Sequence, residues 1–385
     1  MYRLNEEQQR IVTTAAAVAA RDLAPRAADV DREGAFPKDS IAALGASGLL
    51  GLNVPAEHDG LGQGLRTAAA VVDALAQRCP STAMVYLMHL CGIACYAAAA
   101  DKTAPLLKAA AAGRHLSTLA FSEKGSRSHF WAPVSRAAKA ENGGVLISAQ
   151  KSFVTSAGHA DGYVVSTLGA AATQPIESSI YLVLKDDKGV VVSGGWRGLG
   201  LRGNASAPMT LDNVSLGADR ALSACCKGLD MMLGTVLPLF QVGSAAVGIG
   251  IAEAAVQATI SHVTQSRFEE SNTSLADLPT LRAEIAKMRI NTDRARAHLG
   301  AVLDSLESPG PATQLMVLEA KASGTETAVA VTEMAMRTCG GAAFGGAHGI
   351  ERMFRDARAP IVMAPTSDVA YEFIGRALCG MEVFG

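Results

Sequence analysis

The periodicity of the apolar residues changes twice along the chain, and those two changes constrain the fold more than anything else in the sequence. From residue 5 to about 117 the apolar positions recur at helical spacing, as in "EEQQRIVTTAAAVAARDLA", "PKDSIAALGASGLLGL" and "LRTAAAVVDALAQRC", with a turn-rich "NVPAEHDGLGQG" between the last two. Near 117 the pattern switches to short β-branched segments separated by Gly, Asn and Asp: "HLSTLAF", "GVLISAQKSFVTS", "GYVVSTLG", "SSIYLVLKDD", "GVVVSGGW" and "PMTLDNVSL". From about 222 the helical period returns through "LPTLRAEIAKMRINTDRARAHLGAVLDSL" and "ATQLMVLEAKASGTETAVAVTEMAMRTCGG". The expected chain is therefore α+β: an all-α domain over 1–117, a β domain of antiparallel strands in a barrel or sandwich over 118–219, and a helical bundle over 220–385. No internal repeat interrupts that order.

Composition supports a large buried core. Of 385 residues, 49% are hydrophobic and 18% charged, which disfavours disorder, while 38 glycines and 5% aromatics favour closely approaching helices. Net charge is −2 and no basic run occurs, so nucleic acid is not an expected partner. The seven cysteines are scattered, odd in number and without a CxxC or zinc-ligand spacing, which reads as reduced thiols in a cytoplasmic protein. Residues 231–252, "MMLGTVLPLFQVGSAAVGIGIA", run for 22 residues without a charge, long enough for a membrane span. Pro238, Gln241, Ser244 and four glycines within the run point instead to the central helix of a bundle, with no membrane partner.

Several stretches, in order, resemble the acyl-CoA dehydrogenases, the FAD-dependent family that oxidises acyl thioesters. "GLLGLNVPAEHDGLGQG" is similar to the family's N-domain segment. "FSEKGSRSH" stands where the family has T-E-P-G-x-G-S-D, and "KSFVTSAGHADGYVVS" resembles its next strand. "GLGLRGNAS", "CGGAAFGGAHGIERMFRDAR" and "APTSD" resemble the G-x-R-x-S/T segment, the Gly-Gly loop with the R-D helix start, and the E-G-T-S-E turn. The resemblance implies FAD. It places Phe121, Ser122 and Ser128 at the flavin, lined from the next strand by Phe153 and Thr155. Hydroxyls and backbone N–H groups on a Gly-bearing loop suit a flavin edge or a pyrophosphate. Gly340 and Gly341 would let backbone approach the adenine half of a neighbouring subunit's FAD, and Thr366 and Asp368 match positions at the nucleotide end. Arg337 stands where the family has Gln and suits a pyrophosphate. Arg267 is what remains of the family's R-x-x-F-G, since Phe268 follows it directly. A shared FAD site implies a homodimer or homotetramer.

One departure bears on the reaction. Family chemistry begins with a carboxylate removing the α-proton of the thioester. The first Glu of E-G-T-S-E is Ala364 here, followed by Pro365, and the alternative position used by some relatives falls in a run without any acid, around Phe240 and Gln241. Gln241, His89, His348 and Glu372 are the remaining polar candidates for a catalytic role, although an amide cannot be that base and a Glu about a turn into the last helix ordinarily faces solvent. Three readings follow: a dehydrogenase of an acyl-CoA or acyl-carrier-protein thioester, passing electrons to an electron-transfer flavoprotein; a flavin monooxygenase on the same fold, served by a flavin reductase; and a non-catalytic binding subunit.

Overall fold

The computed structural model describes residues 2–126, 129–140 and 143–383. Six α-helices open the chain: α1 (Glu6–Val18), α2 (Ala27–Glu33), α3 (Lys38–Ala46), α4 (Leu65–Ala76), α5 (Pro80–Ala97) and α6 (Ala100–Ala111). Asn5 caps α1 in a reciprocal capping box with Gln8, which fixes where the first helix begins. Helix α5 is buried on nearly every side, as its largely apolar, uncharged sequence requires.

Seven strands follow: β1 (Ser117–Ala120), β2 (Ala137–Lys139), β3 (Val145–Val154), β4 (Gly162–Leu168), β5 (Ser178–Leu184), β6 (Val190–Val192) and β7 (Ala207–Leu216). They form two sheets, β1-β4-β5 and β2-β3-β7-β6. Pairing is antiparallel except between β1 and β4, which run parallel with Ser117 opposite Gly162. Residues 121–161, which hold β2 and β3, intervene between β1 and β4 as the long crossover that a parallel pair needs. Between the sheets lies a second hydrophobic core that includes Ile147, Val165, Val183, Met209 and Leu211, separate from the helical core. A small two-stranded ribbon, β8 (Arg267–Phe268) with β9 (Thr273–Ser274), stands apart.

The C-terminal part holds α7 (Gly228–Met231), α8 (Leu237–Gln265), α9 (Pro279–Glu307), α10 (Thr313–Phe344), α11 (Ile350–Asp356), α12 (Arg358–Val362) and α13 (Ser367–Leu378). Helix α8 contains most of the uncharged run and lies buried between α4, α5, α9 and α10. Its contact with α10 depends on glycine: a Cβ on Gly248 would stand 2.5 Å from the Gly324 carbonyl oxygen, and one on Gly324 2.7 Å from the Ala245 Cα. The run is thus a bundle core. A π-helical turn over Met232–Val236 precedes α8, where Pro238 lacks the N–H that a regular turn would use.

Candidate active site

The β domain, α5 and the C-terminal helices enclose a cavity of about 450 Å³, within the range of small-molecule sites. Phe121, Ser122 and Ser126 enter it from the loop after β1, and Ser152, Phe153 and Thr155 from β3 and its end. Met84 and Met88 come from α5. Opposite stand Val236, Leu237 and Phe240, with Ala359, Val362, Met363 and Ala364 from α12 and the turn after it.

Phe153 is 68% exposed, although large and aromatic, and its φ of +55° lies in the left-handed region that disfavours bulky side chains. It meets Trp196 edge-on at 6.3 Å. A strained aromatic held open on a cavity wall suits a flat ring system as ligand. The Thr155 and Ser206 hydroxyls lie 3.0 Å apart and line the same wall. These features fit a flavin.

Glu123 also lines the cavity, and it is the one acid to do so among the described residues. Its carboxylate is fully engaged. It accepts from Lys151 Nζ at 2.6 Å, from Ser135 Oγ at 2.5 Å, and from the N–H groups of Val134 and Ser135 at 2.6 and 2.7 Å. Burial pushes the Glu123 carboxyl up, but the Lys151 ammonium and the Ser135 bonds outweigh it and leave the group below its ordinary value. It is an anchor that ties the cofactor-side loop to β3, and a carboxylate so held is a poor proton acceptor.

The turn carrying Ala364 is fixed from two sides. Lys321 of α10, 1% exposed, donates its ammonium to the Met363 carbonyl at 2.7 Å and to the Pro365 carbonyl. Burial lowers its pKa to about 7, with Glu326 opposing. On the other side Thr366 caps α13, its hydroxyl accepting from the Val369 N–H at 3.3 Å. The turn is therefore well positioned, and what it presents to the cavity is a methyl group.

The remaining sequence candidates stand elsewhere. His89 is fully buried on α5 and is absent from the cavity wall. Its Nδ1 accepts from the Ser117 N–H at 3.1 Å, so the 2.8 Å contact to the Leu50 carbonyl is a donation from Nε2. Both ring nitrogens are occupied by backbone, and burial lowers the pKa to about 4. Its place is structural: it joins α5 to β1. His348 lies exposed after α10 with φ +60°, its Nε2 3.3 Å from His262 Nδ1, also away from the cavity. Gln241 is buried behind the cavity wall. Arg267, Arg337, Gly340, Gly341 and Asp368 are exposed on the surface of the C-terminal part. A Cβ on Gly340 or Gly341 would meet nothing within 4 Å, but Gly340 has φ +53° and ψ −131°, a backbone conformation that favours glycine, whereas nothing in the described packing demands it at Gly341. Ser128 lies outside the described residues.

Three family descriptions match in succession. Residues 5–112 match the acyl-CoA dehydrogenase N-terminal domain, 118–214 the middle domain and 227–379 the C-terminal domain. The chain belongs to the acyl-CoA dehydrogenase superfamily. Members of this superfamily are FAD-binding oxidoreductases. A cyclohex-1-ene-1-carbonyl-CoA dehydrogenase of Geobacter metallireducens is 28% identical, over 98% of this chain and 99% of its own length. A probable acyl-CoA dehydrogenase of Mycobacterium leprae is 26% identical, over 98% and 97%. Among solved structures, butyryl-CoA dehydrogenase from Megasphaera elsdenii superposes with a TM-score of 0.90 at 20% identity, covering 98% of this chain and 99% of that one. KijD3, in complex with FMN and a dTDP-amino sugar, superposes with a TM-score of 0.85 at 23% identity, covering 98% and 95%. The superfamily fold is thus fully present: a helical N-terminal part, a middle β domain and a helical C-terminal part.

Proposed function

We propose that this chain is an FAD-dependent oxidoreductase that takes an acyl thioester or a related substrate in the 450 Å³ cavity and works without a side-chain base for the α-proton. The observation that carries this reading is Ala364 on the cavity wall, with Glu123, the one acid there among the described residues, held by Lys151. Bound FAD supplies a two-electron acceptor. Phe121, Ser122, Ser128, Phe153 and Thr155 hold its ring end. Arg337, Gly340, Gly341, Thr366, Asp368 and Arg267 serve its nucleotide end, with the exposed Gly-Gly loop reaching a second copy of the chain. Met84, Met88, Phe130 and Phe240 keep water from the substrate, which raises the cost of leaving any charge there unpaired.

A substrate whose α-proton is acidic in its own right would need no base. A second reading shares the same support: oxygen chemistry with a reduced flavin, fed by a reductase, also requires no α-proton acceptor. KijD3, which shares the fold and is solved with FMN and a dTDP-amino sugar, supports a substrate outside the acyl-CoA class.

Replacing Ala364 by Glu tests the reading. A general base contributes about 10²–10⁴-fold, so anaerobic bleaching of the FAD-loaded A364E variant by saturated acyl-CoA should exceed that of the parent by about that factor. Fast bleaching of the parent, with no gain in the variant, would show that a base sits elsewhere.

A further inference from the structure

Leu237 and Phe240 of α8 line the cavity. Gln241 stands one turn beyond Leu237, and Ser244 one turn beyond both Phe240 and Gln241, so the two polar residues continue the cavity-lining stripe deeper into the bundle. Both are fully buried. The Gln241 Oε1 and Nε2 and the Ser244 Oγ have no hydrogen-bond partner among the described residues. A Ser inside a helix ordinarily bonds the carbonyl four residues back, as Thr259, Thr292, Thr325 and Thr332 do in this bundle. Ser244 does not. Three unbonded polar atoms on one stripe are a large cost for a bundle core unless something entering from the cavity completes them.

The surrounding charges narrow what that something is. The Lys321 ammonium is committed to the Met363 and Pro365 carbonyls, and Glu123 and Lys151 neutralise each other. No free cation on the cavity wall, among the described residues, would pair a carboxylate. An amide and a hydroxyl together both donate and accept, which matches a neutral group that does the same.

We propose that Gln241 and Ser244 form a polar floor that selects acyl thioesters whose chain ends in a neutral hydrogen-bonding group, of which a hydroxyl is the smallest. The inference rests on the thioester reading above and adds a substrate class to it. An ordinary saturated chain would leave all three atoms unpaired, whereas a hydroxyl end bonds the Ser244 Oγ and one atom of the Gln241 amide.

The test measures binding of saturated acyl-CoA esters and their terminal-hydroxyl counterparts, over a series of chain lengths, to the FAD-loaded protein by calorimetry. At one length or more the hydroxyl ester should bind at least about tenfold more tightly. Gln241→Leu and Ser244→Ala, singly and together, should erase or reverse that preference. Each should also raise the melting temperature of the ligand-free protein by a few degrees, about 2–4 °C for a change of this kind in a large domain. A hydroxyl ester that binds no better than its saturated counterpart at every length overturns the proposal and leaves the thioester reading standing, as does a preference that survives in both variants. Binding of neither series to the parent protein overturns the thioester reading and the polar floor with it.

Discussion

The wall of the cavity built by the β domain carries Ser122, Glu123, Ser126, Ser152, Thr155 and Ser206, whereas the wall built by the π turn, α8, α12 and the turn before α13 carries only apolar side chains among the described residues, from Val236 and Leu237 to Met363 and Ala364. Each wall is nonetheless pinned by a buried lysine. Lys151 holds the carboxylate of Glu123 on the first, and Lys321 holds two backbone carbonyls on the second. Under the proposed function, the difference separates two jobs, holding a flavin and taking a proton. On the proposed reading, holding a flavin needs fixed donors and an aromatic face, and the β wall offers Ser122, Thr155 and Phe153 for that. Taking a proton from a substrate needs a free basic atom, and the described side chains of the other wall offer only hydrocarbon and the Met363 thioether.

The strongest way to break this comparison is to remove the anchor of the β wall. Glu123→Ala leaves the Lys151 ammonium buried without its counter-ion, with only the Ser166 carbonyl to accept from it, which costs about 3–5 kcal/mol. Urea unfolding of the variant should show that loss together with release of FAD. Replacing Glu123 and Lys151 together by apolar residues should recover most of the stability; a double variant as unstable as the single one would mean that the carboxylate's bonds to Val134 and Ser135 matter more than the ion pair.

The contact between α5 and the β domain titrates. His89 joins α5 to β1, and burial lowers its pKa from 6.5 to about 4. Below pH 6.5 the unfolded chain binds a proton there that the folded chain refuses, so stability is fully present above 6.5 and falls as pH drops toward 4, by up to about 3 kcal/mol. His89→Gln should flatten the pH dependence of unfolding in that window. An unchanged slope would assign the acid sensitivity to other groups.

The smallest effect sharpens the comparison at the flavin-facing side. Phe153 sits at φ +55°. Phe153→Gly relieves that conformation, worth about 1 kcal/mol or slightly more, and should stabilise the FAD-free protein while weakening FAD binding. Loss of stability without change in FAD affinity would make Phe153 a packing residue for Trp196 instead.

The order of helices and strands was legible because period 3.6 and period 2 differ along the whole chain. Met84, Met88, Val236 and Phe240 fall within stretches of apolar helix that a sequence reading can mark as a pocket wall, but their facing positions depend on how α5 and α8 cross. The parallel pairing of β1 with β4 was not legible, since strand segments carry no direction of pairing. Nor were the anchors: Glu123 meets Lys151 across 28 residues, and Lys321 reaches carbonyls 42 and 44 residues away, with nothing local to announce either. His89 shows the reverse case. A histidine in an apolar helix reads as a candidate for proton transfer, yet Leu50 and Ser117, 39 and 28 residues away, use both of its nitrogens.

The absence of a base facing the substrate is most directly tested by exchange of the α-protons of a saturated acyl-CoA in deuterated water, followed by mass spectrometry, with the FAD-loaded parent and its A364E variant. The account predicts no exchange above the buffer rate with the parent and clear exchange with the variant. Deuterium incorporated by the parent at the variant's rate would contradict it.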